Sequence, residues 1–480
     1  MNKSISVKRN VVYNLAYQIV TLFLPLITVP YISRVLGANG VGISSYTNSI
    51  VQYFVILGTI GISLYGNRQI AYVRDDKEKL SVTFWAITIL KLITTGVAFI
   101  IYMIIFANQK DYKIVFLIQG INILVATIDI SWLFMGLEDF KKTVTRNIIV
   151  RIIGVILIFT FVKHENDVAL YVFINAIMAL IGNLVMWPYL SKTVQKVKVR
   201  WSDIREHLRP AMALFIPQIA IQIYAVLDRS MLGLLSNTTQ VGLYQQSQSI
   251  VKLVLGLVTS LGVVMLPRMS NVFASGDRNK LKEHLNRSLV GVSYVSIPMA
   301  FGLASIAEKF VPWFFGKGFG EVKYLLIISV PILFLIALSN VLGVQYLLPT
   351  NKNRQFTVSV TVGAIVNVIL NFILIPHYDA FGSCIATVVA ELSVTAVQYI
   401  FLYKEIEMKP LIKAIFKYMI AGIIMTVVVV FIGRMMEANV ITTLIQSIVG
   451  VVIYFLALVI IKDETNKLVI EFIIKKFKRY

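Results

Sequence analysis

Hydrophobic runs separated by short polar loops recur along the whole chain of 480 residues. A helix needs about 20 apolar residues to cross the hydrocarbon core of a bilayer, and most of these runs approach or exceed that length. A transmembrane β-barrel would instead show segments of roughly ten residues with alternating polarity. The pattern predicts an all-α polytopic membrane protein. Its fourteen predicted transmembrane helices lie near residues 10–33, 41–64, 81–107, 112–136, 147–162, 168–190, 210–235, 241–266, 289–314, 323–348, 356–376, 381–403, 413–433 and 441–461.

Composition supports a membrane protein. Hydrophobic residues make up 58% of the chain and charged residues 14%, whereas a soluble domain carries about 25% charged residues. The single cysteine, Cys384, excludes an intramolecular disulfide. The N-terminal MNKSISVKRN leads into an apolar run without a small-residue cleavage site. We therefore expect an uncleaved first helix rather than a removable signal peptide.

The distribution of basic residues predicts the topology. When the N-terminus is placed inside, roughly three quarters of the 45 lysines and arginines fall on the cytoplasmic side, as the positive-inside rule requires. Both termini are then cytoplasmic, which needs an even number of spans. Topology and attraction to anionic lipids account for the net charge of +21. We expect no nucleic-acid partner.

An internal repeat is visible when the sequence is shifted by 200 residues. Residues 41–68 then align with 241–268 without a gap, and eight of 28 positions are identical. A shift of 214 aligns 132–144 with 346–358, where each segment follows a hydrophobic span and carries a basic loop. Parallel repeats are one way in which transporters are built. The predicted division is an N-lobe at 1–205 (helices 1–6), a C-lobe at 206–405 (helices 7–12), and two additional helices with a basic cytoplasmic tail at 406–480.

Four segments make the chain resemble the Wzx-type polysaccharide flippases. They are YISRVLGANGVGISSY, GISLYGNRQIAYVRDDKEKLS, LDRSMLGLLSNTTQVGLYQQSQSIVKL and LGVVMLPRMS. The superfamily to which these flippases belong also contains the MATE drug exporters and the lipid II flippase. The resemblance implies two six-helix lobes around a central cavity. It also implies transport of an undecaprenyl-diphosphate-linked oligosaccharide from the inner to the outer leaflet of the bacterial cytoplasmic membrane. Polysaccharide polymerase and glycosyltransferases are the protein partners it implies.

Polar residues on the first helices of each half are candidates for the lining of such a cavity. They recur at helical spacing, which places them on one helix face. The alternative is that these side chains only form hydrogen bonds between helices. The candidates are Asn14, Gln18, Asn48, Gln218, Gln222, Gln245 and Gln248.

Basic residues within or near the spans are candidates for binding an anionic head group. Arg34 and Arg229 end corresponding helices, and Asp228 is predicted to hold Arg229 in position. Lys252 lies deeper and on the polar face of its helix, which makes it the strongest candidate; Lys91 is the fourth. Guanidinium groups suit bidentate contact with phosphate. The alternatives are a structural ion pair or snorkelling to the membrane interface.

Three acidic residues in apolar surroundings are candidates for coupling transport to H⁺ or Na⁺. They are Asp129, Asp228 and Glu391. A counter-ion role toward a nearby lysine or arginine is the alternative. We further expect Gly37, Gly40 and Gly42 to form a tight loop between helices 1 and 2.

No catalytic or metal-binding pattern emerges from the sequence. The four histidines are scattered, and there is no paired Cys/His spacing, P-loop or nucleophile elbow. We therefore expect no enzyme, no metal site and no cofactor. Because the excess charge within the spans is basic, an anionic cargo is favoured over cationic drugs. A MATE-like multidrug or metabolite exporter remains the alternative function.

Overall fold

Helices form the regular structure of this protein. The structure, a computed structural model, describes residues 7–477, without the side chains of 7–20, of parts of 216–225 and 260–267 and of a few other positions. Within this part of the chain the predicted helical class is confirmed. The chain divides into two compact units, Met1–Gly242 and Leu243–Tyr480.

In its described residues the first unit contains ten α-helices, two 3₁₀ helices (Glu165–Asp167 and Trp187–Tyr189) and the start of an eleventh α-helix. The α-helices are α1 (Val7–Thr59), α2 (Ile62–Val73), α3 (Lys77–Phe106), α4 (Lys113–Gln119), α5 (Ile121–Ile128), α6 (Ser131–Gly136), α7 (Phe140–Phe161), α8 (Val168–Leu184), α9 (Leu190–Thr193), α10 (Trp201–Leu235) and the beginning of α11 (Thr238–Ala274).

The second unit contains the rest of α11 and the remaining helices. They are α12 (Arg278–Phe315), α13 (Val322–Ser329), α14 (Pro331–Ser339), a π-helix (Asn340–Leu347), α15 (Asn353–Leu402), α16 (Met408–Arg434), α17 (Val440–Ile460) and α18 (Glu464–Phe477).

Ten helical segments of the described part are long and apolar enough to cross a membrane, judged by length and composition. Two of them, Phe23–Val73 and Asn353–Leu402, have 51 and 50 residues, more than twice the length that one span needs. Each contains a residue with non-helical backbone angles, Gly37 in α1 and Asp379 in α15. These two breaks fall between predicted spans, whereas the break between α1 and α2, at Ile60 and Gly61, falls inside the span predicted at 41–64.

The non-helical junction between the first two predicted spans contains fewer residues than expected. Gly37 has φ 65° and ψ 178°, a conformation that costs little only for glycine. Gly40 and Gly42 instead have helical backbone within α1. The prediction that all three glycines form a loop is therefore wrong for Gly40 and Gly42, because a single glycine suffices to break the helix.

The spans predicted at 112–136 and 323–348 are each divided into three helical segments. The span predicted at 112–136 consists of α4, α5 and α6. The span predicted at 323–348 consists of α13, α14 and the π-helix. Pro331 is the first residue of α14, where its missing N–H costs no helical hydrogen bond.

A close helix crossing connects the start of α11 to α1 within the first unit. A Cβ atom on Gly42 would lie 1.6 Å from the carbonyl oxygen of Thr238, and one on Gly242 would lie 1.9 Å from that of Ala38. Small residues let helix backbones approach this closely. The Thr238 hydroxyl also donates a hydrogen bond to Oδ1 of Asn39 at 2.6 Å. The two glycines occupy matched positions in the 200-residue repeat.

Each of the two units is stabilised by apolar cores of its own. In the first unit, Trp132 of α6 is 1% exposed and stacks on Phe84 of α3, with ring centroids 5.5 Å apart. In the second unit, Tyr294 of α12 packs edge-on against Tyr418 of α16 and Tyr454 of α17. The Tyr454 hydroxyl donates to the Tyr294 carbonyl at 3.1 Å. The helices of the C-terminal segment are therefore anchored on α12.

The outer faces of α16 and α17 remain apolar and exposed. Phe416, Phe431, Leu444 and Ile448 are each more than half exposed. Apolar side chains of this kind are compatible with contact to the hydrocarbon core of a bilayer, where the backbone hydrogen bonds of a helix are satisfied internally. This surface agrees with transmembrane placement of both helices.

Candidate functional site

The interruption between α5 and α6 brings together two of the predicted site residues. Lys91 of α3 is 1% exposed, and its Nζ donates a hydrogen bond to the carbonyl oxygen of Asp129 at 2.7 Å. Asp129 is the C-cap residue that follows the last residue of α5. A cation there compensates the partial negative charge of a helix C-terminus. Lys91 thus occupies a position that stabilises the break.

Side chains also donate hydrogen bonds to two other carbonyl groups at the end of α5. Trp187 Nε1 donates to the Ile128 carbonyl at 2.9 Å, and Asn183 Nδ2 donates to the Val125 carbonyl at 2.8 Å. Arg146 donates in turn to Oδ1 of Asn183 at 2.6 Å. Broken backbone at membrane depth is tolerated only where such partners exist. Hydrogen bonds from neighbouring side chains therefore stabilise the interruption within the first unit.

The Asp129 carboxylate organises the chain after the break. Its Oδ1 accepts hydrogen bonds from the backbone N–H of Ser131, at 2.9 Å, and from the Ser131 hydroxyl. An aspartate two residues before a helix is a local start signal for that helix. This arrangement gives Asp129 a structural position, and its predicted role in ion coupling stays a prediction.

Asn48 belongs to a polar cluster between α1 and α4. Its Nδ2 lies 3.5 Å from Oε1 of Gln119, which also accepts from Asn122 at 2.7 Å. Gln119 is 3% exposed and donates to the Thr47 hydroxyl at 3.2 Å. Hydrogen bonding between helices accounts for these contacts. The sequence analysis did not include Gln119 or Asn122.

Two candidates on α11 have partners in the second unit. Gln248 is 7% exposed, and its Nε2 donates to the Ser329 hydroxyl of α13 at 3.2 Å and approaches Sγ of Cys384 of α15 to 4.0 Å. Gln245 Nε2 donates to the Ser249 hydroxyl one turn further along α11, at 3.1 Å. The polar face predicted for this helix therefore includes a buried part, at Gln248, and a half-buried part, at Gln245.

Three of the candidates are exposed on their helices. Arg34 lies on α1, Gln222 on α10 and Lys252 on α11. Their predicted role in binding a cargo stays a prediction.

The Asp228–Arg229 pair lies near the end of α10. Asp228 is 9% exposed, whereas Arg229 is half-buried. The next residue, Ser230, shares a hydrogen bond of 2.6 Å with the Tyr53 hydroxyl of α1. This bond fixes the end of α10 against α1 and places the pair beside that helix.

The other candidates are dispersed. Glu391 is half-buried in α15, and its backbone carbonyl accepts from the Thr395 hydroxyl. The side chains of Asn14, Gln18 and Gln218 lie outside the described residues. Two buried residues of α15, Asn367 and Asn371, were not predicted; they are one helical turn apart and share a hydrogen bond of 3.0 Å. Their spacing inside an apolar run was the signal available in the sequence.

Long apolar helices, interrupted spans and polar residues within apolar helices are typical of polytopic membrane transporters. The fold is similar to that of a solved structure of the lipid II flippase MurJ in an inward closed conformation. The TM-score is 0.71 at 18% identity, over 94% of this chain and 98% of that one. It is also similar to an inward-facing multidrug resistance MATE transporter of the MOP superfamily, with a TM-score of 0.55 at 12% identity, over 82% and 99% of the two chains.

The chain belongs to the polysaccharide biosynthesis protein family, whose model matches residues 7–273. The model of the lipid II flippase MurJ family matches residues 144–460. A relative from Escherichia coli (strain K12), described as "Putative O-antigen transporter", is 27% identical over 402 residues, which are 83% of this chain and 97% of the relative. The protein is thus a multi-pass transporter of the bacterial cytoplasmic membrane that serves polysaccharide biosynthesis, and it is not an enzyme.

Proposed function

We propose that the protein is a flippase that moves an undecaprenyl-diphosphate-linked oligosaccharide from the inner to the outer leaflet by alternating access. The observation that carries this proposal is the pair of overlapping family matches, which together extend over residues 7–460. The O-antigen transporter relative, matched over nearly its whole length, supports a glycan cargo.

The basic residues on the helices support an anionic cargo. Arg34 and Lys252 are exposed and Arg229 is half-buried. Arginine and lysine are the side chains that bind phosphate groups. We assign these three residues to the diphosphate, and the exposed Gln222 and half-buried Gln245 to the sugar hydroxyls. Lys91 is assigned to the helix interruption instead.

Fourteen spans with both termini in the cytoplasm form part of the proposal. Two of the ten candidate spans are long enough to count twice, and α10 and α11 have 35 and 37 residues. With these helices the number reaches fourteen, which suits the asymmetry of the basic loops. Two lobes at 1–205 and 206–405, followed by two additional helices, remain the proposed division.

Energy coupling and partners complete the proposal. Asp129, Asp228 and Glu391 are the acids we assign to coupling with H⁺ or Na⁺. Polysaccharide polymerase and glycosyltransferases are the proposed protein partners, since they act on the same lipid-linked glycan.

Deletion of the gene and complementation with variants test the function. We expect undecaprenyl-linked repeat units to accumulate in the inner leaflet of the deletion strain and wild type to clear them. Lys252→Ala is expected to lower surface glycan at least about tenfold, since a charge-assisted contact is worth about 1.5–3 kcal/mol. Arg229→Ala should act in the same direction. Lipid extraction with leaflet-selective labelling provides the measurement.

Lys413→Ala is the matched control, because Lys413 is an exposed lysine near the start of α16 and is not a cargo candidate. All variants are compared at equal membrane abundance. Normal surface glycan in the deletion strain, together with altered resistance to cationic compounds, would contradict the flippase and favour the MATE-like exporter.

A further inference from the structure

A cavity of about 310 Å³ lies in the second unit, where α11, α12 and the π-helix meet. None of the residues assigned above to the cargo is part of its lining. Its lining includes two arginines, a histidine, a serine and a glutamine. The lining residues are Met265, Arg268, His284, Arg287, Ser288, Gly291, Val292 and Gln345.

Three buried polar atoms in this lining lack a hydrogen-bond partner. They are Nε2 of His284, Oγ of Ser288 and Oε1 of Gln345. His284 is 8% exposed and Gln345 is 2% exposed. Buried polar groups are nearly always hydrogen-bonded in folded proteins, and each exception needs an explanation such as a bound molecule. A polar ligand in the cavity would satisfy these atoms.

The charge of the lining specifies an anion. Arg268 and Arg287 are exposed side chains at the edge of the cavity. Arg287 contacts Glu283 at 2.6 Å, but both side chains of this pair are at least half exposed. Such surface pairs are weak, and one carboxylate leaves other N–H donors of the guanidinium available. Two arginines can therefore hold one phosphate group.

Gln345 adds a requirement that phosphate alone does not meet. Its Nε2 already donates to Oδ1 of Asn340 at 3.1 Å, so the unpartnered atom is the acceptor Oε1. An acceptor needs a hydroxyl or amine donor from the ligand. The ligand thus combines a phosphate with a hydroxyl group a short distance away.

The size and position of the cavity narrow the ligand further. One water takes about 30 Å³ of liquid, so the cavity has room for roughly ten non-hydrogen atoms, as in a glycerol phosphate group. The lining lies at the ends of the spans predicted at 241–266 and 289–314, on the side predicted to be cytoplasmic. Basic pockets between helices at that level bind lipid head groups.

We propose that this cavity binds the phosphate ester of a membrane lipid, with Arg268 and Arg287 on the phosphate and Gln345 accepting a hydrogen bond from a free hydroxyl of the head group esterified to that phosphate. His284 and Ser288 complete the polar contacts. The lipid is either a bilayer phospholipid with a glycerol head group or the phosphate end of the lipid-linked cargo. Only the second source rests on the proposed function.

Calorimetric titration of the purified full-length protein tests the proposal. The probes are short-chain phosphatidylglycerol, phosphatidylcholine and phosphatidic acid. We expect phosphatidylglycerol to bind at least about tenfold more tightly than phosphatidylcholine, whose cationic head group is repelled by the arginines. The double variant Arg268→Gln/Arg287→Gln should lose this preference. Arg278→Gln, which removes the same charge from α12 outside the lining, should keep it.

Gln345→Leu separates the two parts of the ligand. It should weaken phosphatidylglycerol binding severalfold and leave phosphatidic acid binding unchanged, because phosphatidic acid has no head-group alcohol and therefore no head-group hydroxyl to donate to Gln345. Displacement of phosphatidylglycerol by undecaprenyl diphosphate would identify the cargo as the source, and failure to displace it would identify the bilayer lipid. Equal affinity of the wild-type protein for phosphatidylglycerol and phosphatidylcholine would overturn the proposal. So would a loss of the phosphatidylglycerol preference in Arg278→Gln as large as that in the Arg268→Gln/Arg287→Gln variant.

Discussion

Gly42→Ala is expected to destabilise the protein by about 3 kcal/mol, at the upper end of the usual cost of overpacking. The added methyl group would lie 1.6 Å from the Thr238 carbonyl oxygen. Because that atom belongs to the backbone, no side-chain rotation relieves the clash, and the two helices have to separate. Gly242→Ala should have a similar effect against the Ala38 carbonyl. The thermal unfolding midpoint of the detergent-solubilised protein measures both.

Gly96→Ala is the control for this prediction. Gly96 lies within α3, and a Cβ atom there would meet nothing within 4 Å. Alanine has the higher helix propensity, so this variant should be neutral or more stable by up to about 1 kcal/mol. The double variant Gly42→Ala/Gly242→Ala should cost less than the two single changes together, since they disturb one crossing. A Gly42→Ala protein as stable as Gly96→Ala would disprove the close crossing.

Lys91→Met is expected to destabilise the first unit by about 2 kcal/mol, since a buried charged hydrogen bond at a helix C-terminus is lost. The substitution keeps a long side chain in the core of α3 but leaves the Asp129 carbonyl without its donor. A lower unfolding midpoint and a lower membrane abundance should both be observed. Lys113→Met, which removes an exposed lysine at the start of α4, should change neither.

The same experiment distinguishes the two roles considered for Lys91. A structural lysine gives a variant whose transport per folded molecule is unchanged while the amount of folded protein falls. If Lys91→Met is as stable as wild type and fails only in transport, Lys91 contacts the cargo and its assignment to the helix interruption is wrong.

Much of the fold could be predicted from the sequence because hydrophobic length is a strong signal. The breaks at Gly37 and Asp379 fall between predicted spans. The interruption of the span at 112–136 was missed, since hydropathy reports the apolarity of side chains and not the path of the backbone. A local signal was present, because Asp129 followed by Ser131 can start a new helix, but an isolated acid in an apolar run also suggests ion coupling.

The candidate site was less predictable than the fold. The polar face of α11 is a property of its own sequence, and periodicity finds it. The partners of Gln248 are distant in the chain, at Ser329 and Cys384, and only folding brings them together. The cavity at Arg268 and His284 likewise combines residues from three helices. No single one of these three helices has a sequence motif that indicates the cavity.

The crossing at Gly42 and Gly242 has a consequence for the origin of the protein. Each glycine contacts the backbone carbonyl of the residue four positions before the other, and the four residues occupy equivalent places in the repeat. An isologous dimer of identical subunits makes this kind of self-complementary contact. In an ancestral chain with one copy of the repeat, the same glycine would have met its own counterpart on a second molecule. Gene duplication would then have turned a homodimer interface into an internal one. The glycine of the single repeat would have been kept in both copies, as Gly42 and Gly242, because each meets a backbone carbonyl group.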